Sequence, residues 1–179
     1  MGGAVRFVDY SDLPRLCSGY AAKNRHNLLV FDPANIAGHL PSGGNKKERK
    51  KRVAVGRAIA NDWTTLLCAE AAYDELQPGS KKKFEGAGAE IYVVRKVPSA
   101  KPPDANGEIS EGDWATISLA FRLGESVSGK GMQNPGIYLA SEDTDIVSWR
   151  NPLLRKIKDA GIKVLPDYSD LAQLVRKDY

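Results

Sequence analysis

The chain has 179 residues, 42% hydrophobic and 27% charged, which excludes wholesale disorder and suffices for one domain whose core needs no disulfide staples. No apolar run approaches the ~18–20 residues that span a bilayer, and the opening MGGAVRFVDYSDLP has neither the charged nor the apolar region of a secretory leader. Two cysteines, Cys17 and Cys68, and two histidines, His26 and His39, make neither a disulfide framework nor a zinc set. The expectation is a cytoplasmic, non-membrane domain whose chemistry runs on carboxylates, amides, hydroxyls and bases.

In chain order, residues 28–32 (LLVFD) form a short apolar run ending in an acid ahead of Pro33, the pattern of a buried parallel strand. Residues 46–60 follow the turn signals of PSGGN and favour a helix. TTLLC (64–68) reads as a second strand, and AEAAYDEL (69–76) as a helix stopped by Pro78-Gly79. EIYVVRKV (90–97) is a third strand and residues 98–112 a loop. From Asp113, Trp114, Ile117, Phe121 and Leu123 recur at helical spacing, with Gly124 suited to the helix end. GIYLAS (136–141) is a strand running into EDTD. Residues 151–160 form a helix with Gly161 as stop signal, IKVL (162–165) is a last strand, and residues 168–177 a terminal helix capped by Ser169 or Asp170. This alternation predicts an α/β fold, a three-layer α/β/α sandwich around a central, mostly parallel sheet. Residues 1–26 read as an N-terminal extension packing on a single domain of residues 27–179, with a helix around 13–20 covering one sheet edge.

Lys plus Arg number 26 and Asp plus Glu 22, a net charge of +4. Residues 46–52 (KKERKKR) hold six bases and one acid, whereas residues 104–145 hold eight acids against two bases, a net −6 that leaves +10 on the rest. Clustered bases attract a polyanion through counterion release. Clustered acids repel it unless a divalent cation lies between. A solvated helix face or a protein-docking surface is the simpler reading of the basic run.

In open parallel sheets, ligands bind beyond the carboxyl ends of the strands. Asp32 ends the first run, and Glu142, Asp143 and Asp145 follow GIYLAS, while Asp113 opens the helix before that strand and Glu75 lies on the helix after TTLLC. Such acids raise one another's pKa unless a cation neutralises them, and all-oxygen donors suit Mg²⁺ or Mn²⁺. Singly, Asp113 reads as a helix-dipole carboxylate, Asp145 as a cap, Glu75 as an exposed helix acid and Asn35 as turn chemistry. Asp32 is harder to assign to a turn. No GxxxxGK[ST], GxGxxG or GxSxG occurs. Cys17 and Cys68 read as small buried hydrophobes. Trp63, Trp114 and Trp149 read as core or interface residues.

The succession LLVFDPANI, LLCAEAAYDEL, GDWATISLAFRLG, GIYLASEDTDI and DAGIKVLP resembles a PIN-like nuclease domain over roughly residues 27–166. DPANI and SEDTDI are similar to the NYN branch, and Glu75-Leu76 with the Asp113 helix to toxin-type PIN domains. The basic insertion after the first strand and the PPDANGEISEG loop depart from both. The resemblance implies an α/β/α sandwich that gathers acids to bind Mg²⁺ or Mn²⁺ and cleave RNA as an endoribonuclease. It implies metal ligands Asp32, Asp113, Asp143 and Asp145, with Glu75 (or Glu70) as a further catalytic acid. Asn35 and Ser141 would position these carboxylates. Lys46, Lys47, Arg49, Lys50, Lys51, Arg52 and Arg57 would grip the substrate backbone. Partners expected on this reading are RNA, an inhibitor protein if the chain is toxin-like as in toxin–antitoxin pairs, and a further copy of the chain. DNA as substrate stays open. The alternatives are a catalytically silent RNA- or protein-binding module and, more weakly, a magnesium-dependent phosphatase.

Overall fold

The computed structural model describes residues 5–16, 27–40, 46–59, 64–86, 90–105, 107–128 and 136–174. Six strands form one all-parallel sheet: β1 (Val5–Asp9), β2 (Asn27–Phe31), β3 (Thr64–Ala69), β4 (Ile91–Arg95), β5 (Ile137–Ala140) and β6 (Lys163–Leu165), in the order β1-β4-β3-β2-β5-β6. The apolar runs are continuous because both faces are covered, yet each strand still divides its side chains with period two. Leu29 and Phe31 of β2, Leu66 and Cys68 of β3, and Ile91 and Val93 of β4 enter one core layer. Leu28 and Val30, Leu67 and Ala69, and Tyr92 and Val94 enter the other. Cys68 is fully buried, as its reading as a small hydrophobe requires; Cys17, His26 and Trp63 lie outside the described residues.

The first layer is closed by helices α1 (Pro33–Ala37), α2 (Lys46–Ile59) and α4 (Pro78–Gly86), with the 3₁₀ segment Tyr168–Leu174 packed along α2. The second is closed by α5 (Glu111–Ser128), α6 (Thr144–Val147) and α7 (Leu154–Asp159). A short helix, α3 (Glu70–Asp74), follows β3 directly and packs against α5. From β2 the chain moves outward to β3 and β4 on one side and returns to β5 on the other, so the order reverses between β2 and β5. Phe31 and Ala140 stand side by side at the carboxyl ends of that pair.

Several sequence-based boundaries are corrected. The N-terminal residues supply β1, hydrogen-bonded to β4 from Val5↔Ile91 to Asp9↔Arg95; its half-exposed VRFVD lacks the apolar run that marks the central strands. The helix after β3 does end ahead of Pro78, at Asp74, but Pro78 then begins a further helix, α4, because proline's missing N–H costs nothing in a first turn. Helix α5 runs through Gly124 to Ser128. A Cβ at Gly124 would lie 3.0 Å from Ala160 Cβ and 3.1 Å from Ile162 Cδ1, so this glycine serves helix packing and not helix termination. The last segment is 3₁₀, and Asp167 accepts from the Ser169 N–H at 2.8 Å where Ser169 or Asp170 was expected to cap.

Gly161 does stop α7, at φ +87°. A Cβ there is strained whatever space surrounds it, so Gly161→Ala should cost about 1 kcal/mol in urea unfolding.

Candidate metal centre

Asp32 directly follows β2 and is 5% exposed. It is the N-cap of α1, with Pro33 in the first turn, and its Oδ1 accepts from the Ala34 N–H at 3.1 Å. A turn therefore does employ this acid, contrary to the sequence reading. Three residues beyond β5, Asp143 repeats the arrangement as N-cap of α6, its Oδ1 accepting from the Asp145 N–H at 2.8 Å. The cap is thus Asp143, not Asp145. Ser141, fully buried between them, donates to Asp32 Oδ2 at 3.4 Å and accepts from the Asp143 N–H at 3.0 Å. Asp113 arrives from the first turn of α5.

One carboxylate oxygen from each of Asp32, Asp113 and Asp143 lies within 4.8 Å of the other two. At that distance each ionised pair repels by roughly 3 kcal/mol at an effective dielectric near 20. An N-cap or a dipole carboxylate gains only about 0.3–2 kcal/mol. Capping accounts for each acid singly; it does not account for their convergence. Burial and this proximity together act on protonation. Burial, followed by the charges of Asp143 and Asp32, pushes the Asp113 carboxyl up to about 6, against a smaller lowering by Ser110. Burial also raises Asp32, partly offset by the N–H groups of Asn35 and Ala34.

The other expected site residues divide. Asp145 adjoins the trio, and its charge is a smaller contributor to the Asp113 shift, but its carboxylate is paired with Arg150 Nη1 at 3.3 Å. Glu75 is exposed and outside the trio; its Oε1 accepts from the Gly112 N–H at 3.0 Å, tying α3 to the start of the helix that carries Asp113. A Cβ on Gly112 would collide with that carboxylate. Glu70 lies in the first turn of α3.

Asn35 meets the trio through its backbone N–H, which acts on Asp32, while its side chain bridges elements. Its Oδ1 accepts from the Glu142 N–H at 2.9 Å and from the Tyr168 hydroxyl at 3.3 Å.

A second network beside the trio was not anticipated. Glu142 is hydrogen-bonded to His39 Nε2 at 3.0 Å and accepts from the Lys51 ammonium, which also lies 4.0 Å from Asp167. His39 packs edge-on against Tyr168, centroids 5.2 Å apart. The phenol of Tyr168 is fully buried, and burial with the Asp32 and Glu142 charges drives its pKa strongly upward. Lys51 is therefore committed to the fold, and Arg52 is half-buried with an interaction of its own. Arg49, Lys50 and Arg57 are exposed on α2, while the side chains of Lys46 and Lys47 lie outside those described. Of the expected grip on a polyanion, three described side chains remain open to solvent. Glu142, in the strand-end EDTD, and Lys51, in the basic run, carried a sequence signal; His39 and Tyr168 join them through tertiary packing.

Compared with known proteins, the chain matches no family model and no curated sequence.

Because its folded-state value exceeds the ordinary carboxylate value, Asp113 contributes stability by holding its proton, complete at low pH and lost as pH rises through about 6. Asp113→Asn in EDTA should therefore be nearly neutral at pH 3.5 and stabilising by about 1–2 kcal/mol at pH 8, allowing for solvent screening of a half-exposed group. Urea unfolding at the two pH values measures the difference.

Proposed function

We propose that this chain is a divalent-cation-dependent nuclease that hydrolyses RNA phosphodiester bonds, of the PIN-like type its motifs resemble. The observation that carries the reading is the meeting of Asp32, Asp113 and Asp143, drawn from three separate elements, within 4.8 Å at the sheet's order reversal. Their hard, oxygen-only donor set fits Mg²⁺ or Mn²⁺, and Asp113, raised by burial first and by the Asp143 and Asp32 charges second, would gain from a neighbouring cation. Such an ion supplies activation of a water for in-line attack and neutralises charge on the phosphate and leaving oxygen.

The chain's own residues do the rest. Ser141 fixes Asp32 and the Asp143 backbone relative to one another, so the donor set needs little rearrangement on binding. Glu75 holds the first turn of α5 and, with it, Asp113. Lys51 neutralises Glu142 next to the trio and His39 hydrogen-bonds it, leaving the three acids as the local excess of charge. Arg49, Lys50 and Arg57 supply cations for substrate phosphates.

Incubation with a mixed RNA pool should give fragments with Mn²⁺ and none after EDTA. Asp32→Asn combined with Asp143→Asn should retain RNA binding and lose at least a hundredfold in rate; a pure double variant that still cuts removes these acids from the reaction. In thermal melts, Mn²⁺ at about 100 times its Kd should stabilise the parent by about 2.7 kcal/mol and leave the double variant unchanged. Stabilisation without cleavage would favour a metal-binding but catalytically silent module. Arg49→Ala with Lys50→Ala should weaken RNA binding and flatten its dependence on salt.

A further inference from the structure

Beyond the carboxylates, a groove of about 530 Å³ opens along the second core layer, with Trp114, Asp145, Trp149, Arg150 and Pro152 in its lining. It adjoins the trio by two links, one covalent and one a hydrogen bond: Trp114 follows Asp113 in the chain, and the Asp145 N–H donates to Asp143 Oδ1 at 2.8 Å. Trp149 is 87% exposed, the most exposed large apolar side chain among the described residues. Leaving an indole in water forgoes one of the larger burial gains a side chain offers. The turn that carries it is firmly held. Asn151 is 3% exposed, donates through Nδ2 to Ile146 O at 2.8 Å, and accepts the Leu153 N–H at 2.9 Å. The Asn151 N–H in turn donates to Ser148 O at 3.0 Å. The Arg150 guanidinium lies 5.8 Å from the Trp149 ring centroid and also pairs with Asp145. Trp149 is thus a presented ring and not a core residue of this chain.

We propose that this groove is a nucleobase subsite, in which a base next to the scissile phosphate of a single-stranded nucleic acid stacks on Trp149. The proposal rests on the nuclease reading of the adjoining acids. A flat, uncharged ring fits the observations best. The indole offers a π-face that every base can use, and Arg150 places a cation beside it. Asp145 and Glu108, which also lines the groove, disfavour a phosphate inside it, so the backbone runs outside while the base enters. A duplex, whose bases are already stacked, has no ring to offer. Substrate would therefore be read as an unpaired strand, whether RNA or DNA.

Fluorescence anisotropy of labelled single-stranded RNA and DNA ten-mers, in EDTA and low salt, tests this without catalysis. Trp149→Ala should weaken single-strand binding about tenfold or more, Trp149→Phe should stay within about threefold of the parent, and blunt duplex RNA should bind all three alike. Because Trp149 is exposed, the variants should melt as the parent does. Absence of single-strand binding by the parent, unchanged binding by Trp149→Ala, or an equal loss on duplex would overturn the subsite. The two readings separate cleanly. Trp149-dependent binding without Mn²⁺-dependent cleavage keeps the subsite and removes the nuclease; cleavage by Trp149→Ala with the parent's KM does the reverse.

Discussion

Mutual repulsion among Asp32, Asp113 and Asp143 is the constraint around which this end of the molecule is arranged. At roughly 3 kcal/mol per ionised pair, the three together rival a large part of the net stability of about 5–15 kcal/mol available to a domain. The acids stay together because none is free to leave. Asp32 is locked as the cap of α1, Asp143 as the cap of α6, and Asp113 rides a long helix whose first turn is held by Glu75. Two outcomes relieve the charge, a proton or a cation; the value of Asp113 is raised by burial first and by the Asp143 and Asp32 charges second. The scaffold cost is what makes the proposed cation site preorganised.

Charge beside the trio is managed differently. Glu142, the immediate neighbour of Asp143, is fully engaged by His39, Lys51 and the Asn35 bridge to its N–H. This network ties α2 and the 3₁₀ segment to the end of β5, so the basic helix is anchored to the acidic edge by one of its own lysines. The exposed bases on α2 and the Trp149 groove then belong to two surfaces, one suited to phosphates and one to flat rings. On the proposed reading, a strand would meet both.

The central strands were legible because a parallel sheet covered on both faces demands unbroken apolar runs, and LLVF, TTLLC, IYVV and IYLA supply them. The edge strand β1 shares no such demand and was hidden. Strand-end position made Asp32 and Asp143 visible, and helix-start position Asp113. Their convergence could only be inferred from strand order, which no local pattern encodes. Local spacing also misassigned roles: Gly124 reads as a stop until Ala160 and Ile162 are seen against it, and Lys51 reads as a substrate contact until Glu142 and Asp167 are seen to engage it. The catalytic role expected of Glu75 came from the resemblance alone, and no local pattern announced that its carboxylate accepts from the Gly112 N–H. Exposure of Trp149 had no signal at all, since tryptophan's default in a folded chain is burial.

The pairing of β1 with β4 joins residues eighty-six positions apart, Val5 with Ile91. During synthesis the first strand emerges well before its neighbour exists, and until then its N–H and C=O groups have only water. The sheet therefore cannot grow strand by strand in the order the ribosome delivers it: β2 and β3, adjacent in both chain and sheet, are both present before β4 arrives to receive β1. Asp9, paired with Arg95 at the end of β4 and with Lys96 just beyond it, is the buckle across this seam.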